Sequence, residues 1–228
     1  LGLCDAVLCG GVDSLSLLTI NGFASLEVVS GRVARPFAAD RDGINIGEAA
    51  AVFLMTRVPM PGFPEGEPIG LLGYGASSDA WHMSSPRPDG EGAMQAIQAA
   101  LQGAGLSAGD LGWINLHGTG TAQNDAMESL AVVQTLGADV PGTSTKPHTG
   151  HTLGAAGALE AAIVWGLVSR QLNPSGALPA QGNERDPSLA PLRLTRPGDR
   201  WPSGRRLGLS TSFAFGGNNM ALIMGDTA

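Results

Sequence analysis

Basic residues are the first shortage. Thirteen lysines and arginines stand against 20 aspartates and glutamates in 228 residues, a formal net charge of −7. Without a basic excess the chain has no electrostatic footprint for nucleic-acid phosphates, which excludes nucleic acid as its main partner. Long apolar runs are missing as well. The longest, Ala49 to Met55, is far short of the ~18 residues of a membrane span, so no span is expected. Cysteine is scarce: the spacing of Cys4 and Cys9 suits neither a disulfide framework nor a paired-cysteine zinc site, and the default setting is a reducing cytoplasm. No secretory signal pattern opens the chain, which enters a strand-like run within ten residues of Leu1, as a piece whose beginning lies upstream would. What remains is a globular composition, 43% hydrophobic and 14% charged. The 34 glycines and 15 prolines stay below the ~25–30% of low-complexity chains, so the glycine must serve local backbone geometry.

Short strand-like runs at Ala6–Cys9, Ala50–Arg57 and Ile69–Gly75 alternate with helical spacing over Ser14–Val29, which argues an α/β fold. Pro59, Pro61, Gly62, Pro64 and Gly66 break the chain between the second and third runs and read as a hairpin connection. Met94, Ile97 and Leu101 predict a helix over Ala93–Gly103, ending at Gly103, while Ala155–Gln171 is apolar on most sides and predicts a buried helix. A further helix is expected over Ala126–Leu136, a short strand over Met220–Met224, and an irregular segment over Asn173–Arg200. The strand candidates Trp113–Leu116, Gly142–Thr145 and Leu207–Thr211 each run into a glycine- or histidine-rich turn, where α/β folds place their chemistry.

Three of the four histidines fall in those turns: His117, in His-Gly-Thr-Gly-Thr, and His148 and His151 after Lys146. His151 precedes the helix expected from near Gly154, where the positive helix end disfavours an imidazolium. A neutral ring there can donate to a carbonyl, and Lys146 would add positive charge beside a developing oxyanion. Each residue also has a plainer reading. A histidine at a strand end can simply close a turn, and His148, beside Pro147, is read as structural. Asp125 and Glu128 could be functional carboxylates, but Asp-x-x-Glu opening a helix reads first as a capping pair. Glu160, inside an apolar helix, needs a cation such as Lys146. A zinc site on the histidines remains an alternative that would set Lys146 against the metal. Phe213 and Phe215, beside Gly216-Gly217, fit either core residues or a lid on a glycine hinge.

Taken in order, His117-Gly-Thr-Gly-Thr121, Lys146 to Gly150-His151-Thr-Leu-Gly-Ala-Ala-Gly157, and Phe213-Ala-Phe-Gly-Gly217 with Asn219 resemble the β-ketoacyl-acyl carrier protein synthases, condensing enzymes of the thiolase fold. Arg35-Pro36-Phe37, Asp40-Arg41-Asp42-Gly43, Gly47-Glu48, Ser78-Asp79-Ala80 and His82-Met83 extend the resemblance along essentially the whole chain. It implies a layered αβαβα fold, of which this chain is the C-terminal half plus the last strand of the N-terminal half: residues 1–60 close the N-terminal half and 61–228 form the C-terminal domain. The implied reaction is decarboxylative Claisen condensation of malonyl-acyl carrier protein with an acyl thioester, in fatty acid, polyketide or polyene synthesis.

The resemblance also implies roles. His117 and His151 would hydrogen-bond the malonyl thioester carbonyl, with Lys146 supporting them and Glu160 as its buried acidic partner. Phe215 would be the gate, with Phe213, Thr119, Thr121 and Gly216 in substrate binding or gating, and Asp125, Glu128 and Asn219 as structural support. The nucleophilic cysteine is expected in an N-terminal half upstream of Leu1–Gly11, because neither Cys4 nor Cys9 sits at a helix N-terminus that would lower a thiol pKa. Neither metal nor cofactor is expected. Partners would be carrier-protein thioesters and a second synthase subunit, in a homodimer or heterodimer, in the cytoplasm. The alternative is a non-catalytic partner subunit resembling a chain-length factor, and such subunits usually lack the full His117, Lys146, His151 set. Departures from the family wording are Ala214, at a position usually glycine, and Ala122-Gln123-Asn124.

Overall fold

The structure, a computed structural model, describes residues 4–57 and 68–227. Two sheets organise it. β1 (Ala6–Asp13) and β2 (Ala49–Thr56) pair antiparallel, from Ala6 opposite Thr56 to Asp13 opposite Ala49. The larger sheet holds β3 (Ile69–Ser78), β4 (Trp113–Asn115), β5 (Gly142–Thr143), β6 (Leu207–Phe213) and β7 (Asn218–Asp226), in the order β3-β7-β6-β4-β5. β7 pairs antiparallel with both β3 and β6, whereas β6, β4 and β5 run parallel. Those three parallel strands therefore all end at the same edge of the sheet, and each feeds one of the turns singled out by sequence.

Helices cover both faces of this sheet. α2 (Glu91–Ala104) and α3 (Ala122–Leu136) lie on one face, over a core of Ile97, Leu101, Ile114, Leu116, Val132, Leu209 and Ile223. α5 (Ala156–Val168) lies on the other, preceded by the one-turn α4 (Lys146–Thr149). Val164 and Val168 of α5 pack on Trp113, Trp201 and Met224 from the large sheet's side, with Phe53 of β2 against the same cluster. A helix held between two sheets must be apolar nearly all round, which is what its sequence shows. The layers thus run β1-β2, α5, the five-stranded sheet, then α2 and α3, four layers of the expected α/β stack.

Glycine lets these layers close up. Gly73 and Gly75 point from β3 at α2, where a Cβ would come within 2.2 Å of the Ala100 carbonyl oxygen and 2.0 Å of the Ala96 carbonyl oxygen. The helix backbone lies directly on the strand, and only a residue without a side chain permits that.

Several expectations need correction. The connection read as a hairpin falls on residues 58–67, outside the described residues, but its flanking strands β2 and β3 belong to different sheets and do not pair; β2 takes β1 instead. The helical spacing over Ser14–Val29 narrows to α1 (Leu17–Ser25), started by Ser16, whose hydroxyl accepts from Thr19 N at 3.2 Å. Gly103 lies within α2, and the stop is Gly105, whose positive φ of 65° suits a left-handed cap. Asn173–Arg200 contains no helix or strand, as expected, yet Leu178, Leu189, Leu192 and Thr195 are buried, so the segment is packed against the core. Among the described residues no helix is long and apolar enough to cross a membrane.

Replacing Gly75 by valine should push α2 off β3. Overpacking of this kind typically costs ~1–3 kcal/mol, so the urea midpoint of Gly75→Val should fall clearly below that of the parent, and an unchanged midpoint would contradict the close approach.

Candidate active site

At the end of β4 the chain turns through His117-Gly118-Thr119-Gly120, with positive φ at Gly118 (32°) and Gly120 (82°). The turn has no ladder to satisfy its amides, and two buried carboxylates do so instead. Glu128 accepts from His117 N at 2.7 Å through one oxygen and from Gly118 N at 2.6 Å through the other, and also accepts from the Thr211 hydroxyl at 2.9 Å. Asp125 accepts from Gly120 N at 3.1 Å and Phe37 N at 2.7 Å. These residues are thus not the capping pair that the Asp-x-x-Glu spacing suggested: Thr121 precedes the helix, and both side chains reach out of α3 to hold loops. Burial raises Asp125 to about 6 and Glu128 to about 7, against the opposing pull of those backbone donors.

β5 leads into α4, where Lys146 points inward with 2% of its side chain exposed. Its ammonium donates to Glu160 of α5, also 2% exposed, and to the His117 carbonyl oxygen, and lies 3.3 Å from His117 Nδ1. Sequence reasoning paired Glu160 with Lys146, and the structure brings them together. Burial raises the Glu160 pKa while Lys146 pulls it down. His148, in contrast, is exposed.

His151 is held by its backbone N–H, which donates to the Asn45 carbonyl at 2.6 Å. Leu153 N donates to His151 Nδ1 at 3.2 Å, so that nitrogen is an acceptor and the neutral ring carries its proton on Nε2. The Lys146 ammonium beside His117 Nδ1 selects the same tautomer there. The two rings stand edge to face with centroids 5.3 Å apart. His151 is pushed down to about 3, by burial first and by Lys146 second. His117 is lowered well below 6.5 by burial, then by Lys146 and His151, with a smaller upward pull from the Phe213 backbone.

Both histidines line a cavity of about 390 Å³ with Thr119, Thr121, Phe213 and Phe215. The Thr119 and Thr121 hydroxyls share a hydrogen bond of 2.9 Å. Phe213 is buried edge-on to His117, whereas Phe215 is 50% exposed. Phe215 stacks on Phe23 of α1, with centroids 5.8 Å apart, a partner distant in sequence that sequence reasoning missed. Gly216 and Gly217 follow with φ of 83° and 80°. Asn219 anchors the base of this loop by donating to Asp79 Oδ1 at 2.7 Å, Asp79 N donates to the Gly217 carbonyl at 2.8 Å, and Gly216 N donates to the Met83 carbonyl at 2.8 Å. The aromatic loop is therefore tied to the 79–83 segment, and Asp79 is a second residue to which sequence assigned no role. Among the described residues no group of three or more His, Cys, Asp or Glu is placed to hold a metal ion, and Lys146 stands where a metal at His117 Nδ1 would be repelled.

Family comparison decides what these turns belong to. Residues 1–59 match the β-ketoacyl synthase N-terminal domain and residues 70–176 the β-ketoacyl synthase C-terminal domain. The chain belongs to the β-ketoacyl synthase family. The 3-oxoacyl-acyl-carrier-protein synthase 2 of Synechocystis is 34% identical over 233 residues, covering 97% of this chain and 55% of that protein. The enzyme of the same name from Mycobacterium tuberculosis is also 34% identical, over 99% of this chain and 55% of its own length. A solved ketosynthase in complex with its chain length factor from Xenorhabdus doucetiae matches with a TM-score of 0.88 at 48% identity, covering 99% of this chain and 54% of that one. The chain spans about half the length of the relatives it matches, and its fold is that of the thiolase-like ketosynthases. His117, Lys146 and His151 lie within the matched C-terminal domain; the Phe213–Asn219 loop lies beyond the matched residues.

The buried, cation-facing histidines should remain neutral down to about pH 5, given the value of about 3 for His151 and the lowered His117. Side-chain nitrogen-15 shifts across a pH series check this, and imidazolium shifts for either ring at about pH 6 would contradict the geometry.

Proposed function

We propose that the chain carries the decarboxylation machinery of a β-ketoacyl synthase, which condenses malonyl-acyl carrier protein with an acyl thioester. The observation that carries this reading is the pair of neutral histidines on one cavity, each with Nδ1 engaged and its proton on Nε2. As the bond between the malonyl carboxylate and its α-carbon breaks, carbon dioxide leaves and the electron pair moves into the thioester carbonyl. The resulting enolate oxygen is stabilised by His117 and His151 N–H donors fixed before the reaction, so no reorganisation is needed as charge develops. The enolate carbon then attacks an acyl thioester held on a cysteine elsewhere in the complete synthase, expelling the thiolate.

The remaining residues divide the work. Lys146 keeps His117 in its tautomer and adds positive potential, while Glu160 balances that charge. Glu128 and Asp125 hold the His117 turn, Thr119 and Thr121 receive the substrate arm, and Phe215 gates the cavity with Phe213 beneath it, Gly216 as hinge and Asn219 as anchor. Residues 1–60 belong to the N-terminal half of the fold and 61–228 to the C-terminal domain. The complete protein would work in the cytoplasm as a homodimer or heterodimer, on carrier-protein thioesters of fatty acid or polyketide synthesis. Similarity to ketosynthases solved with chain length factors supports the polyketide setting. The intact His117, Lys146 and His151 set favours the catalytic subunit over a chain-length-factor role.

In the complete synthase, His117→Ala and His151→Ala should each lower carbon dioxide release from malonyl-carrier protein by ~10²–10³, the usual loss for one preorganised oxyanion donor, while acyl transfer to the cysteine suffers less. Release at the parent rate by either variant would return that histidine to a turn-closing role. Phe215→Ala should slow cysteine acylation in single-turnover assays with little change in melting temperature, because the ring is half exposed. A core phenylalanine would instead cost ~3–5 kcal/mol, so a large melting shift with normal acylation would remove the gate.

A further inference from the structure

The two histidines reach the cavity from different turns, His117 after β4 and His151 after α4, and both turns are tied to one stretch of chain. Residues 43–47 form a strap between them. At one end Gly43 N donates to the Gly120 carbonyl of the His117 turn at 3.0 Å. Further along, the strap engages both backbone groups of His151: His151 N donates to the Asn45 carbonyl at 2.6 Å, and Gly47 N donates to the His151 carbonyl at 3.0 Å. The approach is backbone on backbone, since a Cβ on Gly47 would lie 2.2 Å from the Thr149 carbonyl oxygen. Where the strap lies therefore helps to set the 5.3 Å between the ring centroids.

The strap belongs to neither sheet. Its start is held by backbone, Ile44 N donating to the Val28 carbonyl at 2.7 Å and Ser30 N to the Ile44 carbonyl at 2.8 Å. Beyond Ile44 the Asn45 side chain takes over. Its Oδ1 accepts from Ala34 N at 2.6 Å, and its Nδ2 donates to the Arg32 carbonyl at 2.8 Å and the Ser30 carbonyl at 3.4 Å. A backbone N–H on one side and two carbonyls on the other admit only this orientation of the amide. Ile44 lines the cavity, while Asn45 turns its amide away from it into the loop at 30–34.

We infer that Asn45 is a positioning residue for decarboxylation: its amide pins the strap and so fixes His151 relative to His117, letting both Nε2 donors meet one oxygen. This rests on the functional reading above. Two donors on separate turns stabilise a single enolate oxygen only while their spacing is kept. Asn45 acts on that spacing through the His151 backbone and touches no substrate itself.

The test uses the complete synthase with Asn45→Leu, which keeps the volume and removes the side-chain hydrogen bonds. Asn45→Asp keeps the acceptor for Ala34 N but turns an oxygen toward the Ser30 and Arg32 carbonyls, and it carries the same expectation should the leucine variant fail to fold. Carbon dioxide release from malonyl-carrier protein is measured beside single-turnover acylation of the cysteine, well below each variant's melting temperature. The kcat for release should fall about tenfold or more, toward the ~10² that a misplacement of about 1 Å costs, while KM and acylation stay within about twofold. In a His151→Ala background the same substitution should change release by no more than about twofold, because the residue it acts through is gone. A lower melting temperature with parent rates in the folded variant would make Asn45 a loop stabiliser only. Equal losses of release and acylation, or a full further loss in the His151→Ala background, would mean general disturbance of the site. Each of these results overturns the inference. A parent synthase that releases no carbon dioxide would sink the functional reading itself, which is a separate outcome.

Discussion

Lys146 carries a positive charge to a place where 2% of its side chain meets solvent, and the elements around it are arranged to make that tolerable. Its ammonium ties three of them together: Glu160 from α5, the backbone carbonyl of His117 at the end of β4, and the His117 ring. A buried ion pair contributes little net stability compared with apolar packing, but removal of one member is severe because the other is left charged and unpaired. Glu160 already has one carboxylate oxygen without a partner, so it would be badly exposed to the loss of Lys146. The pair is better understood as a positioning device. It fixes the rotation of α5 against the sheet, the proton position on His117, and the sign of the potential at both imidazoles.

The same economy governs the loops. Parallel strands β6, β4 and β5 bring three turns to one sheet edge, but turns lack ladder partners for their amides, and buried amides cannot be left bare. Glu128 and Asp125 supply acceptors from α3, one carboxylate for two consecutive amides at His117 and Gly118, the other bridging Gly120 to Phe37. With two oxygens to place, each carboxylate spans two N–H groups at once, which lets a single helix hold a tight glycine turn. The cost is two acids held out of water.

How much of this was legible follows from which interactions are local. The strand ends and their turns were readable because His-Gly-Thr-Gly-Thr and Lys-Pro-His-Thr-Gly-His carry their backbone requirements in their own glycines, and Glu160 because a lone charge in an apolar helix demands a cation. Asp125 and Glu128 were misread because a capping pair and a pair of loop-holding carboxylates share one spacing. The partners that separate the two readings, Phe37 and Thr211, lie 88 and 83 residues away from Asp125 and Glu128 respectively. Phe23 and Asp79 went unassigned for the same reason, since their significance lies in contacts with Phe215 and Asn219 that no local pattern encodes. The pairing of β2 with β1 was likewise hidden: the proline and glycine cluster after β2 marks a break in the chain but cannot say whether the next strand stays in the same sheet.

The acids and the imidazoles of the site respond to pH in opposite directions, which bears on what stabilises it. Asp125 and Glu128 have folded pKa values raised to about 6 and about 7 from 3.8 and 4.5, so the unfolded chain releases their protons first. Their contribution to stability is present at low pH and is lost as pH rises through that window. His117 and His151 are lowered from 6.5, His151 to about 3, so the unfolded chain takes up their protons first and their contribution is lost as pH falls below about 6.5. Near pH 6 both effects are partly felt, and no pH relieves both. Ionisable groups alone therefore cannot hold the site together. The stabilisation must come from the apolar layers beneath it, above all the packing of Val164 and Val168 on Trp113 and Trp201 on one face of the sheet and of Ile97 and Val132 on Ile114 and Ile223 on the other. The chemistry sits at the sheet edge because that is where those two cores end and polar groups can be gathered without displacing either.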